Sequence, residues 1–185
     1  WYQRRVRGLM NLFLLSRKRR KCARYHCDKH LPKMIVETAQ VACAAIHLMD
    51  DKFYKLNQTN LYKITHVKHP CVLWAAASHK NFIFTVQHGL ALCDEFEKRF
   101  KHTHKSSLIL KFIYENRDVI QYTSEDLTPF ALAMPDEYKG ADAVSSYRNY
   151  YLNEKKKFAK WNGSKIELRI RKNHLIRNEI QKLLQ

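Results

Sequence analysis

Scarcity of glycine and proline is the feature of this sequence that most restricts its fold. The 185 residues contain four glycines and four prolines, with no Gly/Ser-rich linker and no internal repeat. Folds made of many strands need frequent turns, and turns favour these two residue types. We therefore predict an all-α protein, a compact single-domain helical bundle, with a core drawn from the 45% of residues that are hydrophobic.

Basic residues are concentrated towards the two ends of the chain. We predict a basic N-terminal arm at residues 1–21, a helical domain at 22–161 and a basic C-terminal extension at 162–185. The short apolar run at 10–15 is compatible with a buried strand or an extended segment, and we expect it to lie extended across the core. The extension is expected to form a strand, a turn and a helix, or one amphipathic helix.

The net charge indicates the kind of partner. There are 34 Lys and Arg residues against 17 Asp and Glu residues, which gives a formal charge of +17. Such an excess attracts polyanions, so the expected partner is nucleic acid, either DNA or RNA. No membrane is expected, because the longest apolar runs are far shorter than the roughly 18–20 residues of a spanning helix. Five cysteines without a pairing pattern favour reduced thiols in an intracellular compartment.

One helix carries the most distinctive pattern. Asp28 can cap it, Pro32 suits its first turn, and apolar or small residues recur at helical spacing up to Ile46. Lys33 and Glu37 fall on another face. We therefore expect the Glu37 carboxylate to be reachable from outside the core, either as an ordinary ion pair with Lys33 or as a chemical group.

Other helices are predicted less closely. Pattern and capping place them at 71–77 and 81–101, broken near Ser78, and at 106–114 and 142–161. Residues 50–68 are expected to form a polar loop with possible short structure.

Neither a metal nor another cofactor is predicted. Cys22, His26, Cys27 and His30 lie within nine residues, whereas structural zinc sites use two separated pairs. The four glycines are too scattered to form a phosphate-binding loop.

Several short blocks, in a fixed order, resemble a known family. They lie at residues 10–14, 25–40, 65–71, 104–106, 128–130, 134–138, 147–151 and 158–161. This order is similar to that of the phage pyrimidine-dimer DNA glycosylases, the endonuclease V family, and especially of their phage and viral relatives. The resemblance covers residues 10–161.

The resemblance implies a compact all-α enzyme that uses its N-terminal amine, exposed by loss of Met, to attack the sugar C1′ of a damaged nucleotide. The family's catalytic Glu lies seven residues after a His, as Glu37 does after His30, and its nucleophile corresponds to Asn11. The implied catalytic residues are therefore Glu37, Asn11 and His30. Basic side chains are expected to hold phosphates. The candidates are Arg17, Lys18, Arg19, Arg20, Lys21, Lys29, Lys33, Lys68, His69, Lys105 and Arg148.

Two functions remain open at this point. In the first, the protein is a DNA glycosylase and abasic-site lyase whose N-terminus is processed to Asn11. In the second, it is a non-catalytic RNA-binding component of a ribonucleoprotein such as an organellar ribosome. Nine residues precede Met10, so the Asn11 nitrogen lies in a peptide bond in this sequence. With no Met at position 1, an organellar presequence is one explanation; a mitochondrion or a phage- or virus-infected cell is the expected location.

Overall fold

Seven α-helices form the regular structure of residues 10–155 and 159–161, the part of the chain that the computed structural model describes. They are α1 (Arg19–Tyr25), α2 (Leu31–Met49), α3 (Asp51–Leu56), α4 (Pro70–Ala76), α5 (His79–Phe100), α6 (Ser107–Glu115) and α7 (Ala143–Lys155). Short 3-10 turns occur at Gln58–Asn60, Arg117–Val119 and Asp136–Tyr138. These residues contain no strand, which confirms the all-α prediction.

Helix α2 is central because small side chains fill its second half. Residues 41–46 are fully buried in every direction, and α3, α4, α5 and α6 all pack against this helix. Helix α5 also packs against α1, α4 and α6. At Gly89 of α5, an added Cβ would lie 2.8 Å from the methyl carbons of Leu110 and 3.0 Å from Cγ2 of Thr38. The absence of a side chain at Gly89 therefore lets α5, α6 and α2 meet closely.

The predicted helices are confirmed in position, with differences at their ends. Ser78 separates α4 from α5, as predicted, because its hydroxyl accepts a hydrogen bond from Asn81 N at 3.2 Å and caps α5. The predicted polar loop at 50–68 contains α3. Helix α7 is described as far as Lys155, and residues 159–161 are not helical, so the prediction of a helix reaching residue 161 is wrong. Helix α1 was not predicted.

The start of α2 also differs from the prediction. His30 occupies the N-cap position, and Asp28 lies outside the helix. The Asp28 carboxylate instead accepts a hydrogen bond from Arg99 Nη1 at 3.0 Å. Arg99 also pairs with Glu95 at 2.8 Å and donates to two backbone carbonyls at the end of α1. Because the Arg99 side chain is only 8% exposed, this network fastens α5 to the connection between α1 and α2.

Residues 10–16 lie within the predicted N-terminal arm of residues 1–21, and from here on the arm means residues 10–16 alone. They run through the core without regular structure. All seven are buried, in agreement with the expectation of an extended segment across the core. The Leu12 carbonyl lies 3.1 Å from His88 Nε2 of α5, and the Leu15 carbonyl accepts from Arg148 Nε of α7 at 2.8 Å. The arm is therefore held between helices that are distant in sequence.

The predicted extensions are described only in part. The boundary predicted between residues 21 and 22 falls inside α1. Residues 1–9 and the predicted C-terminal extension at 162–185 lie outside the described residues. Among the helices that are described, none is both long and apolar enough to cross a membrane.

Candidate active site

A cavity of about 570 Å³ lies where the arm, α2, the start of α4, the segment before α7 and α7 itself meet. Polar and aromatic side chains converge on it from elements that are far apart in sequence. Its lining residues are Asn11, Phe13, His30, Lys33, Glu37, His69, Pro70, Leu132, Ala133, Met134, Pro135, Lys139 and Tyr150. All three predicted catalytic residues are in this set.

Glu37 lies at the wall of this cavity and is otherwise enclosed. Its side chain is 7% exposed, so it is reached from outside the core through the cavity and does not lie on an open polar helix face. The reason is the arm, which covers that face of α2. Glu37 Oε2 accepts a hydrogen bond from the backbone N of Asn11 at 2.9 Å, and Oε1 lies 3.4 Å from Lys33 Nζ. The ordinary ion pair expected with Lys33 is therefore present, together with a buried contact that helical spacing could not predict.

The backbone of Asn11 is fixed by its own side chain as well as by Glu37. Its Oδ1 accepts from Leu12 N at 2.8 Å, and its Nδ2 donates to the Ala133 carbonyl at 2.6 Å. These contacts hold the Asn11 nitrogen beside a carboxylate on α2. The predicted nucleophile position and the predicted catalytic acid are thus direct neighbours.

Aromatic rings form another wall of the cavity. The ring of Phe13 stacks on that of Tyr150, with centroids 5.5 Å apart and planes 9° apart, and meets His30 edge-on at 4.9 Å. Tyr138 extends the row, 5.1 Å from Tyr150. Partial burial raises the pKa of Tyr150, so its hydroxyl stays protonated at neutral pH. Phe13 is buried, whereas Tyr138 and Tyr150 are half-buried, so the ring surface left open on this wall belongs to the two tyrosines.

His69 lies at the N-terminus of α4, before Pro70. Its Nδ1 accepts a hydrogen bond from Cys71 N at 3.2 Å, so the imidazole itself caps the helix. Burial, and to a lesser degree the neighbouring His66, lowers the pKa of His69. His69, which was predicted to contact a phosphate, is therefore a buried, neutral side chain on the cavity wall.

Two lysines supply positive charge at the mouth of the cavity. Lys33 is half-exposed, and Lys139 is exposed and pairs with Asp136 at 2.7 Å. Sequence reasoning missed Lys139 and Tyr150. Both lie in or beside blocks that carried the family resemblance, and that was the available signal for them.

The remaining predicted nucleic-acid contacts are not among the residues that line the cavity. Most of them are exposed, and Lys21 is half-buried; the set is Arg17, Lys18, Arg19, Arg20, Lys21, Lys29, Lys68 and Lys105. Arg148 is different, because it is 4% exposed, donates to the Leu15 carbonyl and stacks over the ring of Tyr25. Its position argues for a structural role in holding the arm, against the predicted phosphate contact.

The Cys and His residues weighed as metal ligands are dispersed among other contacts. His26 Nδ1 lies 2.9 Å from the Cys22 carbonyl, and Cys27 N donates to the Tyr151 hydroxyl at 2.9 Å. Burial raises the pKa of the Cys22 thiol to about 11, so it stays protonated. Within residues 10–155 and 159–161, no group of three or more His, Cys, Asp and Glu side chains is placed to hold a metal ion.

Comparison with known proteins gives one finding. The family model for pyrimidine dimer DNA glycosylase matches residues 10–108, more than half of the chain. The matched region contains the arm, α2 with Glu37, and His69. No curated protein and no solved structure matches the chain significantly.

Proposed function

The chain belongs to the pyrimidine dimer DNA glycosylase family, and from that premise we propose that it removes damaged pyrimidines from DNA in the cavity beside Glu37. The observation that carries the proposal is the 2.9 Å contact between the Asn11 nitrogen and the Glu37 carboxylate. A glycosylase that works through an imine needs an amine beside a group that can take and return protons. The Asn11 nitrogen and the Glu37 carboxylate are close enough for this once the nitrogen is a free amine.

The proposed chemistry begins with hydrolysis of the Met10–Asn11 peptide bond by a separate peptidase, which leaves Asn11 with a free α-amine. The ordinary pKa of an α-amine is near 8, so about a tenth of it is neutral and nucleophilic at pH 7. The nitrogen lone pair forms a bond to C1′, and the bond between C1′ and the base breaks with its electron pair on the base, which takes up a proton. Glu37 accepts the proton that the nitrogen releases. The nitrogen lone pair then forms the second bond to C1′, the bond between C1′ and the ring oxygen breaks, and the oxygen takes its proton back from Glu37, which leaves the protonated imine.

The charges around the cavity suit a DNA substrate. Lys33 and Lys139 stand at its mouth, and exposed cations lie on α1 and in the segment before it. Each phosphate that they neutralise would release a condensed counterion, which favours binding. The half-buried ring of Tyr150, supported from behind by Phe13, offers a surface for a base turned out of the duplex.

Borohydride trapping on DNA with a preformed abasic site tests the proposal, because borohydride reduces an imine to a permanent covalent link. A fusion to a ubiquitin-like protein, removed by its specific protease after folding, gives a chain that starts at Asn11. We expect that form to become linked to DNA, and the form with an intact Met10–Asn11 bond to bind without linkage. Glu37→Gln in the trimmed form should bind DNA and lose trapping and cutting of pyrimidine-dimer DNA.

Other outcomes would contradict parts of this scheme. Trapping of the intact form, mapped by mass spectrometry to Lys33, would make a lysine the nucleophile in place of Asn11. Trapping by neither form would reject the glycosylase and lyase chemistry and favour a non-catalytic nucleic-acid-binding protein.

A further inference from the structure

We infer that His69 donates a hydrogen bond from Nε2–H to the carbonyl oxygen of the pyrimidine as that base departs, an inference that rests on the proposed glycosylase reaction. His69 would then be a catalytic residue that stabilises the leaving group. Four observations lead to this role: its tautomer, its charge state, its place in the cavity and the partners of its second nitrogen.

The tautomer of His69 follows from the cap of α4. A ring nitrogen that accepts a hydrogen bond carries no proton, and Nδ1 accepts from Cys71 N. In the neutral imidazole the proton must then be on Nε2. Burial lowers the pKa of His69 and so keeps the ring neutral at pH 7. The cap therefore presets Nε2 as a donor.

Nε2 of His69 has no hydrogen-bond acceptor among residues 10–155 and 159–161, and the residue lines the cavity together with Glu37 and Asn11. His69 is only 7% exposed, so bulk water competes weakly for this donor. A preset donor in a partly enclosed cavity is suited to an acceptor that arrives with the substrate.

The chemistry of the leaving base identifies that acceptor. In a pyrimidine nucleotide the ring nitrogen bonded to C1′ has a carbonyl carbon next to it, so its oxygen enters the cavity with C1′. As the bond to C1′ breaks, negative charge spreads onto this oxygen while positive charge develops on the sugar. A neutral N–H donor stabilises the oxygen without repelling the sugar, as a cation would. In the transition state, His69 would thus stabilise the negative charge on the base oxygen and Glu37 the positive charge on the sugar.

Two substitutions separate the cap from the donor. In His69→Asn, the side-chain oxygen can take the place of Nδ1 and keep the cap, because Asn is a good N-cap residue, but nothing reaches the Nε2 position. In His69→Gln, the amide nitrogen reaches that position. His104→Asn is a matched control, since His104 Nδ1 also accepts from the backbone N two residues on, Ser106 N at 3.2 Å, and His104 is not a cavity-lining residue.

The test compares two DNA substrates in single-turnover reactions with the N-terminal form that becomes trapped on abasic DNA. With a pyrimidine dimer the base must leave; with a preformed abasic site it is already gone. We expect His69→Asn to slow base release by about 100-fold or more, the usual effect of removing one such donor, while borohydride trapping on abasic DNA stays within a few fold of wild type. His69→Gln should recover part of the base-release rate, and His104→Asn should behave as wild type.

Equal losses on both substrates would show a structural role and overturn the inference, as would an unchanged rate of base release. A wild-type protein that acts on neither substrate would reject the proposed function itself, and the inference with it. A protein that traps abasic DNA normally but releases bases equally fast with and without His69 would reject this inference alone.

Discussion

Removing the Glu37 carboxylate should destabilise the protein by an amount that depends on whether an acceptor remains for Asn11 N. In Glu37→Ala the buried N–H of Asn11 loses its partner, at a cost of about 1–3 kcal/mol. In Glu37→Gln the amide oxygen still accepts, and the loss is about 1 kcal/mol, the usual difference between a charged and a neutral acceptor. The ion pair with Lys33 adds little, because the lysine is half-exposed.

Urea unfolding followed by circular dichroism measures these differences. In thermal unfolding of a chain of this length, a destabilisation of about 2 kcal/mol would lower Tm by about 4–8 °C. Lys33→Ala is the control, because it removes the ion pair and leaves the hydrogen bond, so its free energy of unfolding should stay within about 1 kcal/mol of wild type. If Glu37→Ala were as stable as wild type, water from the cavity would be accepting the hydrogen bond from Asn11 N, and the predicted cost of a buried donor without an acceptor would be refuted. Equal destabilisation in the Ala and Gln variants would show that the charge matters and the acceptor does not.

Charges and burial lead to three other predictions. Arg99→Ala should cost about 3–5 kcal/mol because it breaks a buried network, whereas Arg17→Ala, which breaks an exposed pair, should stay within about 0.5 kcal/mol in the same urea assay. Burial lowers the pKa of His88 to about 4, below its ordinary value, so the unfolded chain binds this proton more readily than the folded chain does. The free energy of unfolding should therefore fall as pH drops from about 6.5 to 4, and His88→Gln should make that fall less steep. Affinity for DNA should fall steeply with salt, and replacing the four cations at 17–20 by Ala should reduce the log–log slope by roughly 0.9 for each phosphate that these cations neutralise, measured by fluorescence anisotropy.

Local pattern was sufficient for most of the helical framework. The apolar spacing from Leu31 to Ile46 predicted α2, and Ser78 predicted the break between α4 and α5, because both signals lie within one or two helical turns. The cap of α2 could not be predicted in the same way. Asp28 is a good capping residue, but its carboxylate is bound to Arg99, 71 positions away.

Exposure was the property that the sequence predicted least well. Lys33 and Glu37 share a helix face, yet the arm covers Glu37 and leaves Lys33 half-exposed. Arg148 is a cation in a strongly basic chain, and its expected partner was a phosphate. In the structure it donates to a backbone carbonyl of the arm. An irregular segment such as the arm gives no periodic signal of what it will cover.

The arm also bears on the proposed reaction, in which one nitrogen would have a structural role in the intact chain and a chemical role after cleavage. In the intact chain Asn11 N is an amide that donates to Glu37, and Met10, which is 3% exposed, packs in the core beside it. After cleavage the same atom would be an amine, whose N–H groups can still donate to Glu37. The hydrogen bonds of Asn11 Nδ2, Leu12 and Leu15 do not involve the peptide bond that is cut. The fold can therefore keep this nitrogen at the cavity in either form, and in the proposed reaction hydrolysis of one bond would supply the nucleophile.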